Sequence, residues 1–280
     1  MEKNQPFITI FTPNYNKSKF ISETIESIIN QTYTNFEYII IDDCSTDDSW
    51  NIIQNYAKID SRIKCYRNEK NLKIVETRNK GFQYSSPNAK YFSIIDSDDV
   101  AYSKRLERQI DFLENNQEYG MIGSNAIIIN EDSKIIGNRN YPLENDKIKK
   151  LIPRVNPFTQ SSVTLRKKTI KEIGFYDKRW FVCQDYDYWL RVGRKWKLKN
   201  LNKPLIKYRL NTNQVKNRFL KETLKHTFEI QKKAIIKYGY KDSIYLKLNR
   251  LFLKILILFP RLTLVMYKIY IKYFSRILKL

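Results

Sequence analysis

The sequence predicts an α/β fold: a mostly parallel sheet flanked by helices, followed by a basic amphipathic helical extension. Three observations predict it. Short apolar runs alternate with segments of helical periodicity through the first hundred residues. Two of those runs end in clusters of carboxylates. Positive charge gathers behind them, in the last third of the chain.

Taken in order, residues 7–11 read as a short buried strand, stopped by Pro13. Residues 21–30 carry Ile21, Ile25, Ile28 and Ile29 at helical spacing, with Ser18 in the cap region. Residues 36–41 form a second apolar run, β-branched and aromatic, that stops at Asp42 and Asp43. Residues 50–57 return to helical spacing, 63–66 predict a third strand, and 77–84 a helix. A fourth strand, 91–95, ends in Asp96-Ser97-Asp98-Asp99. Alternation at this pitch gives parallel strands with helical crossovers, and such sheets bind ligands at the carboxyl ends of their strands. Beyond residue 100 the expected elements are a helix over 105–113, a strand over 121–130 and an irregular stretch over 140–157. A short strand follows over 162–165, then a helix over 188–195, and everything from 216 reads helical. The expected organisation is one domain over 1–215, with a nucleotide-binding half (1–100) and an acceptor and catalytic half (101–215), then a tail over 216–280.

Composition removes several classes. With 42% hydrophobic residues the 280-residue chain can build a core, so wholesale disorder is excluded. Three cysteines, Cys44, Cys65 and Cys183, exclude a disulfide scaffold and a cysteine-rich zinc site. A single histidine, His226, argues against a histidine metal cluster or a Ser-His-Asp triad, and reads as a solvated surface residue. The apolar run at the N-terminus is only five residues long, too short for a secretory signal. No stretch reaches the roughly 18 uncharged apolar residues of a spanning helix, so a cytoplasmic location is expected. The formal charge of +22 is unevenly placed: −2 over residues 1–100, +11 over 101–215 and +13 over 216–280.

No GxG, GKS or GKT occurs, so neither a dinucleotide-binding glycine turn nor a P-loop can cradle phosphates. The other general solution is a divalent cation joining phosphate oxygens to carboxylates. Asp96, Asp98 and Asp99 supply candidates, and on an extended strand end Asp96 and Asp98 would point the same way. The competing reading is an acidic turn capping the helix that starts near residue 104. For Asp42 to Asp48 the competing reading is a helix cap, which suits Asp47 and Asp48 better than Asp42 and Asp43. Asp185 could likewise cap the helix that runs to Lys195.

Taken together, Thr12-Pro13-Asn14-Tyr15-Asn16, Gln31-Thr32-Tyr33, Asp42-Asp43-Cys44-Ser45, Asp96-Ser97-Asp98-Asp99 and Gln184-Asp185-Tyr186-Asp187 resemble the signature of family-2 inverting glycosyltransferases. The resemblance covers roughly residues 5–215. It implies the GT-A fold, Rossmann-like, and a metal-dependent transfer of sugar from a nucleotide donor, a UDP-sugar, to a glycan or lipid-linked hydroxyl. In that family Pro13 and Tyr15 would line the base pocket, Asp43 would accept from a uracil N–H with Asp42 close by, and Arg78 would help hold the nucleotide. Asp98 would bind Mn²⁺ or Mg²⁺, with Asp99 as second candidate ligand and Asp96 nearer the ribose or sugar. Asp185 would be the general base, since an inverting displacement needs one carboxylate to deprotonate the acceptor. Two departures stand out: Asn211 and Gln160 occupy positions where relatives carry histidine, which puts a metal or phosphate contact in doubt.

Within 244–280, eight cations from Lys247 to Lys279 project within about 80° at 100° per residue, and most of the rest is apolar. Pro260 would kink this helix. A narrow cationic stripe beside a broad apolar face suits an anionic membrane surface, which would place the protein peripherally on the inner face of the cell membrane. A helical hairpin or dimer interface is the alternative. Two other functions compete with transfer. A sugar nucleotidyltransferase would need a glycine-rich loop where this chain has Thr-Pro-Asn-Tyr-Asn. A nucleic-acid-binding protein fits the net charge but not the acidic front, so no nucleic acid is expected.

Overall fold

The computed structural model describes residues 5–211 and 219–259. Its strands form one sheet. β1 (Ile8–Asn14), β2 (Phe36–Asp42), β3 (Ile63–Arg67) and β4 (Tyr91–Ile94) pair in parallel in the order β3-β2-β1-β4. β5 (Val100–Ala101), β6 (Tyr119–Ile129), β7 (Ile135–Arg139), β8 (Thr164–Arg166) and β9 (Lys197–Arg209) extend it. The order continues β4-β8-β6-β9-β5, with β7 hung on β6. In this half β8 runs antiparallel to both neighbours, whereas β6 and β9 are parallel.

Helices cover both faces: α1 (Ile21–Ile29), α2 (Ser49–Ile59), α3 (Lys73–Tyr84), α4 (Arg105–Asn115), α5 (Asn145–Leu151), α6 (Lys167–Ile173) and α7 (Gln184–Lys195). The twofold alternation of strand side chains sorts the core. Tyr38 and Ile40 of β2 pack with Ile25 of α1 and Leu106 of α4, while Ile39 and Ile41 pack with Phe82 of α3 and Trp189 of α7. A strand buried on both sides is apolar on both, so β2 reads as a nearly continuous apolar run. It is interrupted only by Glu37, whose buried carboxylate accepts from Thr9 Oγ1, Lys64 Nζ and Ser86 N. Gly81 lets α3 lie close on β1, since a Cβ there would sit 2.6 Å from the Phe11 ring.

The structure corrects several expectations. Pro13 does not stop β1, which continues to Asn14. Phe11 O accepts from Ile95 N and Asn14 O from Asp43 N, so the backbone of Pro13 faces the β4 side. The β1–β4 ladder ends at Phe11, and the missing N–H is not needed there. Ser18 does not cap α1; its N–H instead donates to Asp47 Oδ2 at 2.9 Å. Several elements lie where no regular structure was expected, the short β5 and α6 among them. α5 buries only Ile148, too little for an apolar period, and β7 is largely exposed. β9 interleaves Leu198, Leu205 and Ile206 with lysines and Asn200, which masks its alternation.

The tail begins as two helices, α8 (Leu220–Ile236) and α9 (Ile244–Leu258). α8 sends Ile230 and Ala234 into the core cluster that holds Trp189. Fully buried Asp187 of α7 accepts from Lys233 Nζ at 2.8 Å, Tyr238 OH at 3.0 Å and Arg191 Nε at 3.0 Å, which fastens α8 to α7. Leu253 and Leu256 of α9 pack on Leu224 of α8, whereas Ile244, Leu248, Leu251 and Ile255 are exposed. Among the described residues no helix is long and apolar enough to cross a membrane. The expected kink at Pro260 and the cations beyond it lie outside the described residues.

Candidate active site

The carboxyl ends of β1, β2 and β4 carry the residues singled out in the sequence. Asp42, fully buried at the end of β2, accepts from Asn14 Nδ2 at 2.8 Å, Ser45 Oγ at 2.5 Å and Ser45 N at 2.9 Å. It thereby ties the loop after β1 to the loop after β2. Asp43 accepts from Leu72 N (2.8 Å), Lys73 N (2.9 Å) and Asn68 Nδ2 (2.8 Å), so it anchors the start of α3. Pro13 is buried in β1, and Tyr15 stands 45% exposed in the loop that follows.

Residues 96–99 form a turn closed by Asp99 N donating to Asp96 O at 3.1 Å, so the extended-strand geometry expected for Asp96 and Asp98 does not hold. Each carboxylate has its own partners. Asp96 accepts from Arg78 Nη2 at 2.6 Å. Asp98 Oδ2 accepts from Lys17 Nζ at 2.7 Å and Asn211 Nδ2 at 3.1 Å. Asp99 is fully buried and accepts from Ser161 Oγ and from Arg209 N (2.8 Å). Burial first, then the charges of Asp98 and Asp96, push the Asp99 carboxyl well above the ordinary range. The turn does not cap α4, because β5 intervenes and the N-cap is Lys104.

Arg209 braces this turn from behind. Its Nε donates to Asp98 O at 2.8 Å, and its Nη1 to Asn130 O at 3.0 Å and Ser133 Oγ at 2.9 Å. Its Nη2 pairs with Glu23.

Asp185 sits in the first turn of α7, but α7 has no side-chain cap hydrogen bond. Its Oδ2 accepts from Asn156 Nδ2 at 2.8 Å. Burial raises its carboxyl above the usual carboxylate range, and Arg78, the Tyr186 amide and Asn156 only partly oppose this. Arg78 is itself buried, with Asp96, Tyr176 and Asp185 sustaining its charge against that burial. One guanidinium therefore lies in the field of both the acidic turn and Asp185. Its Nε is buried without a partner among the described residues.

Left-handed backbone marks the same region. Asn16, Cys44, Lys73 and Cys183 have φ of 50°, 61°, 70° and 61°, each next to or within two residues of Tyr15, Asp43, the α3 start or Asp185. Conformations this unfavourable for L-residues cluster at functional sites. All three cysteines are half-buried, as expected of small packing residues. His226 departs from its expected solvation: its Nδ1 lies 3.2 Å from Val182 O, and its ring meets Trp180 and Phe181 edge-on.

The chemistry of the donors suits a divalent cation held partly by substrate. Among the described residues no three His, Cys, Asp or Glu side chains cluster as a complete metal site. Asp98 offers a carboxylate, and beside it Asn211 Oδ1 is buried without a partner among the described residues. Mg²⁺-type sites use one or two protein oxygens plus phosphates, so this pair fits. Lys17, Asn156, Ser161 and Arg209 were not singled out in the sequence. Their partners are distant in the chain, and only Asn156 and Arg209 lie in stretches that drew notice, beside Gln160 and Asn211.

Residues 9–174 match the model of Glycosyl transferase family 2. An uncharacterized glycosyltransferase of Haemophilus influenzae is 32% identical over 254 residues, 88% of this chain and 78% of that protein. The O-antigen biosynthesis glycosyltransferase WbnJ of Escherichia coli is 32% identical over 215 residues, 73% of this chain and 80% of that protein. The Escherichia coli UDP-Glc:alpha-D-GlcNAc-diphosphoundecaprenol beta-1,3-glucosyltransferase WfaP is 30% identical over 79% of this chain and 84% of its own. Among solved structures, S. aureus TarS 1-349 in complex with UDP superposes with a TM-score of 0.60 at 16% identity, over 82% of this chain and 65% of that one. Mannosyltransferase PcManGT from Pyrobaculum calidifontis, in complex with GDP-Man and Mn2+, gives 0.62 at 12% identity, over 81% and 64%.

Proposed function

The chain belongs to glycosyl transferase family 2, and we propose that it moves a sugar from a UDP-sugar to a hydroxyl of a glycan or lipid-linked glycan in bacterial surface-polysaccharide assembly, with inversion. The observation that carries the reading is Arg78, buried between the donor-side carboxylate Asp96 and the first turn of the Asp185 helix. Relatives named for O-antigen synthesis and for glucosyl transfer to a diphosphoundecaprenol-linked sugar support the setting and the lipid-linked acceptor.

In this reading Pro13 and Tyr15 frame the nucleoside, and Asp43 accepts from the uracil N–H. Asp42 holds both loops in register through Asn14 and Ser45. Asp98 and Asn211 would hold Mn²⁺ or Mg²⁺, while Asp99 fixes the turn through Ser161 and Arg209. When bound, that ion neutralises charge on the diphosphate leaving group. Asp185 takes the proton of the acceptor hydroxyl, whose oxygen bonds to the anomeric carbon as the bond from that carbon to the diphosphate oxygen breaks. A carboxyl raised by burial is a better base than an ordinary one, provided it is ionised at the working pH. The exposed apolar face of α9, with Lys247 and Lys254 alongside, would rest on anionic lipid and keep the enzyme at the inner membrane face.

Calorimetry with UDP, GDP and dTDP, with and without Mn²⁺, tests the donor site in the full chain and in Asp98→Asn. We expect UDP-selective binding that needs the metal and weakens at least about tenfold in Asp98→Asn, the loss of a charged contact. Metal-independent binding unchanged in Asp98→Asn would sink the assignment of the carboxylates.

A further inference from the structure

Lys17 enters none of the roles above, yet its ammonium lies 2.7 Å from Asp98 Oδ2. The same oxygen receives Asn211 Nδ2 at 3.1 Å. A cation thus already stands on the carboxylate assigned to the metal. The backbone beneath it is pinned. Asn16 N donates to Ser45 Oγ, Lys17 N to Ser49 Oγ and Ser18 N to Asp47 Oδ2, each at 2.9 Å. The Lys17 side chain is 28% exposed, and its ammonium lies 5.9 Å from the centre of the Phe20 ring. Its backbone is held in place, while its long side chain reaches solvent in part.

We infer that Lys17 is a two-position ligand: it neutralises Asp98 in the empty site and transfers to the donor diphosphate when nucleotide and divalent cation bind together. The inference rests on the donor site proposed above. A divalent ion and an ammonium on one carboxylate oxygen repel each other, so loading the ion displaces Lys17. Metal–oxygen bonds to such ions are about 2.0–2.6 Å long. A diphosphate held at Asp98 by such an ion would lie within reach of the Lys17 side chain. A diphosphate also restores the ion pair that Lys17 gives up, with charge-assisted hydrogen bonds in place of the Asp98 contact. The consequence is reciprocal: Mn²⁺ alone binds against Lys17, UDP removes that opposition, and each strengthens the other.

Binding of Mn²⁺ alone, and of UDP at saturating Mn²⁺, would be measured by calorimetry on the full chain as wild type, Lys17→Met and Lys17→Arg. Thermal melts would establish that each variant folds. Lys17→Met should bind Mn²⁺ alone about two- to fivefold more tightly, the worth of a partly exposed ion pair. It should bind UDP at least about tenfold more weakly, the loss of a hydrogen bond to a charged group. Lys17→Arg should keep UDP affinity within about threefold, since it keeps the charge. Unchanged constants in Lys17→Met overturn the inference, and so does a parallel loss of Mn²⁺ and UDP affinity, which would make Lys17 a structural support. A wild type that binds Mn²⁺ but no nucleoside diphosphate overturns the donor reading, and the Mn²⁺ arm then still decides whether Lys17 competes for Asp98. A wild type that binds neither overturns both.

Discussion

Replacing Asp187 with alanine should loosen the hold of α7 on α8. The carboxylate is fully buried and takes three donors, from Lys233, Tyr238 and Arg191. Removing one partner of a buried ion pair costs about 3–5 kcal/mol, because the other charge stays behind without compensation. Here the abandoned cations keep some contacts. Lys233 retains Asp177 at 3.1 Å, and Arg191 retains Ile173 O at 3.0 Å and Phe175 O at 2.7 Å. That favours the low end, about 3 kcal/mol, with about 1 kcal/mol more for the stranded Tyr238 hydroxyl. Asp187→Asn keeps shape and an acceptor but not charge, and should lose roughly half as much. Urea unfolding followed by tryptophan fluorescence would report the change, with Trp189 on α7 and Trp180 beneath Lys233 as local probes. If the alanine variant loses under about 1 kcal/mol, or no more than the asparagine variant, the ion network is not what holds α8 to α7.

Two further outcomes are expected. Arg78→Met removes the main influence that lowers the Asp185 carboxyl against burial. Since the base must be ionised, the acid limb of the kcat/KM profile should move to higher pH, and an unmoved limb would refute the Asp185 assignment. Leu251→Glu places a charge on the exposed face of α9 and should weaken co-sedimentation with anionic vesicles at least about tenfold, from lost apolar burial and added repulsion. Vesicle binding that survives it would move the membrane contact elsewhere in the chain.

The parallel half of the sheet was legible because strands covered on both faces are mostly apolar. β2 shows this in Phe36 to Ile41 and its abrupt end at Asp42. The acidic turn was legible as a motif but not as a geometry. Alternation put Asp96 and Asp98 on one side, whereas a turn separates them and gives one to Arg78 and the other to Lys17. The Lys17–Asp98 pair spans 81 residues and follows only from the adjacency of β1 and β4, which no local pattern encodes. β9 was hidden for a different reason. Its lysines and Asn200 satisfy the polar half of the alternation, and too few apolar residues remain to reveal the other half. Asn211 gave doubt about the metal in the sequence, yet the fold brings its amide onto Asp98.

Arg209 has a consequence for how the protein is made. The turn at residues 96–99 depends on a residue 110 positions further along the chain, which supplies Asp99 with a backbone N–H and Asp98 O with a guanidinium. Synthesis proceeds at about 5–20 residues per second, so a nascent chain carries the acidic motif for roughly 5–20 s before its brace has even been polymerised. During that interval Arg78 and Lys17 can already meet Asp96 and Asp98, but Asp99 lacks Arg209 and, at first, Ser161 as well. The site is therefore completed late, after β9 has docked beside β6 and β5. A chain cut short before Arg209 would keep the sequence motif and lack the shape that gives it meaning.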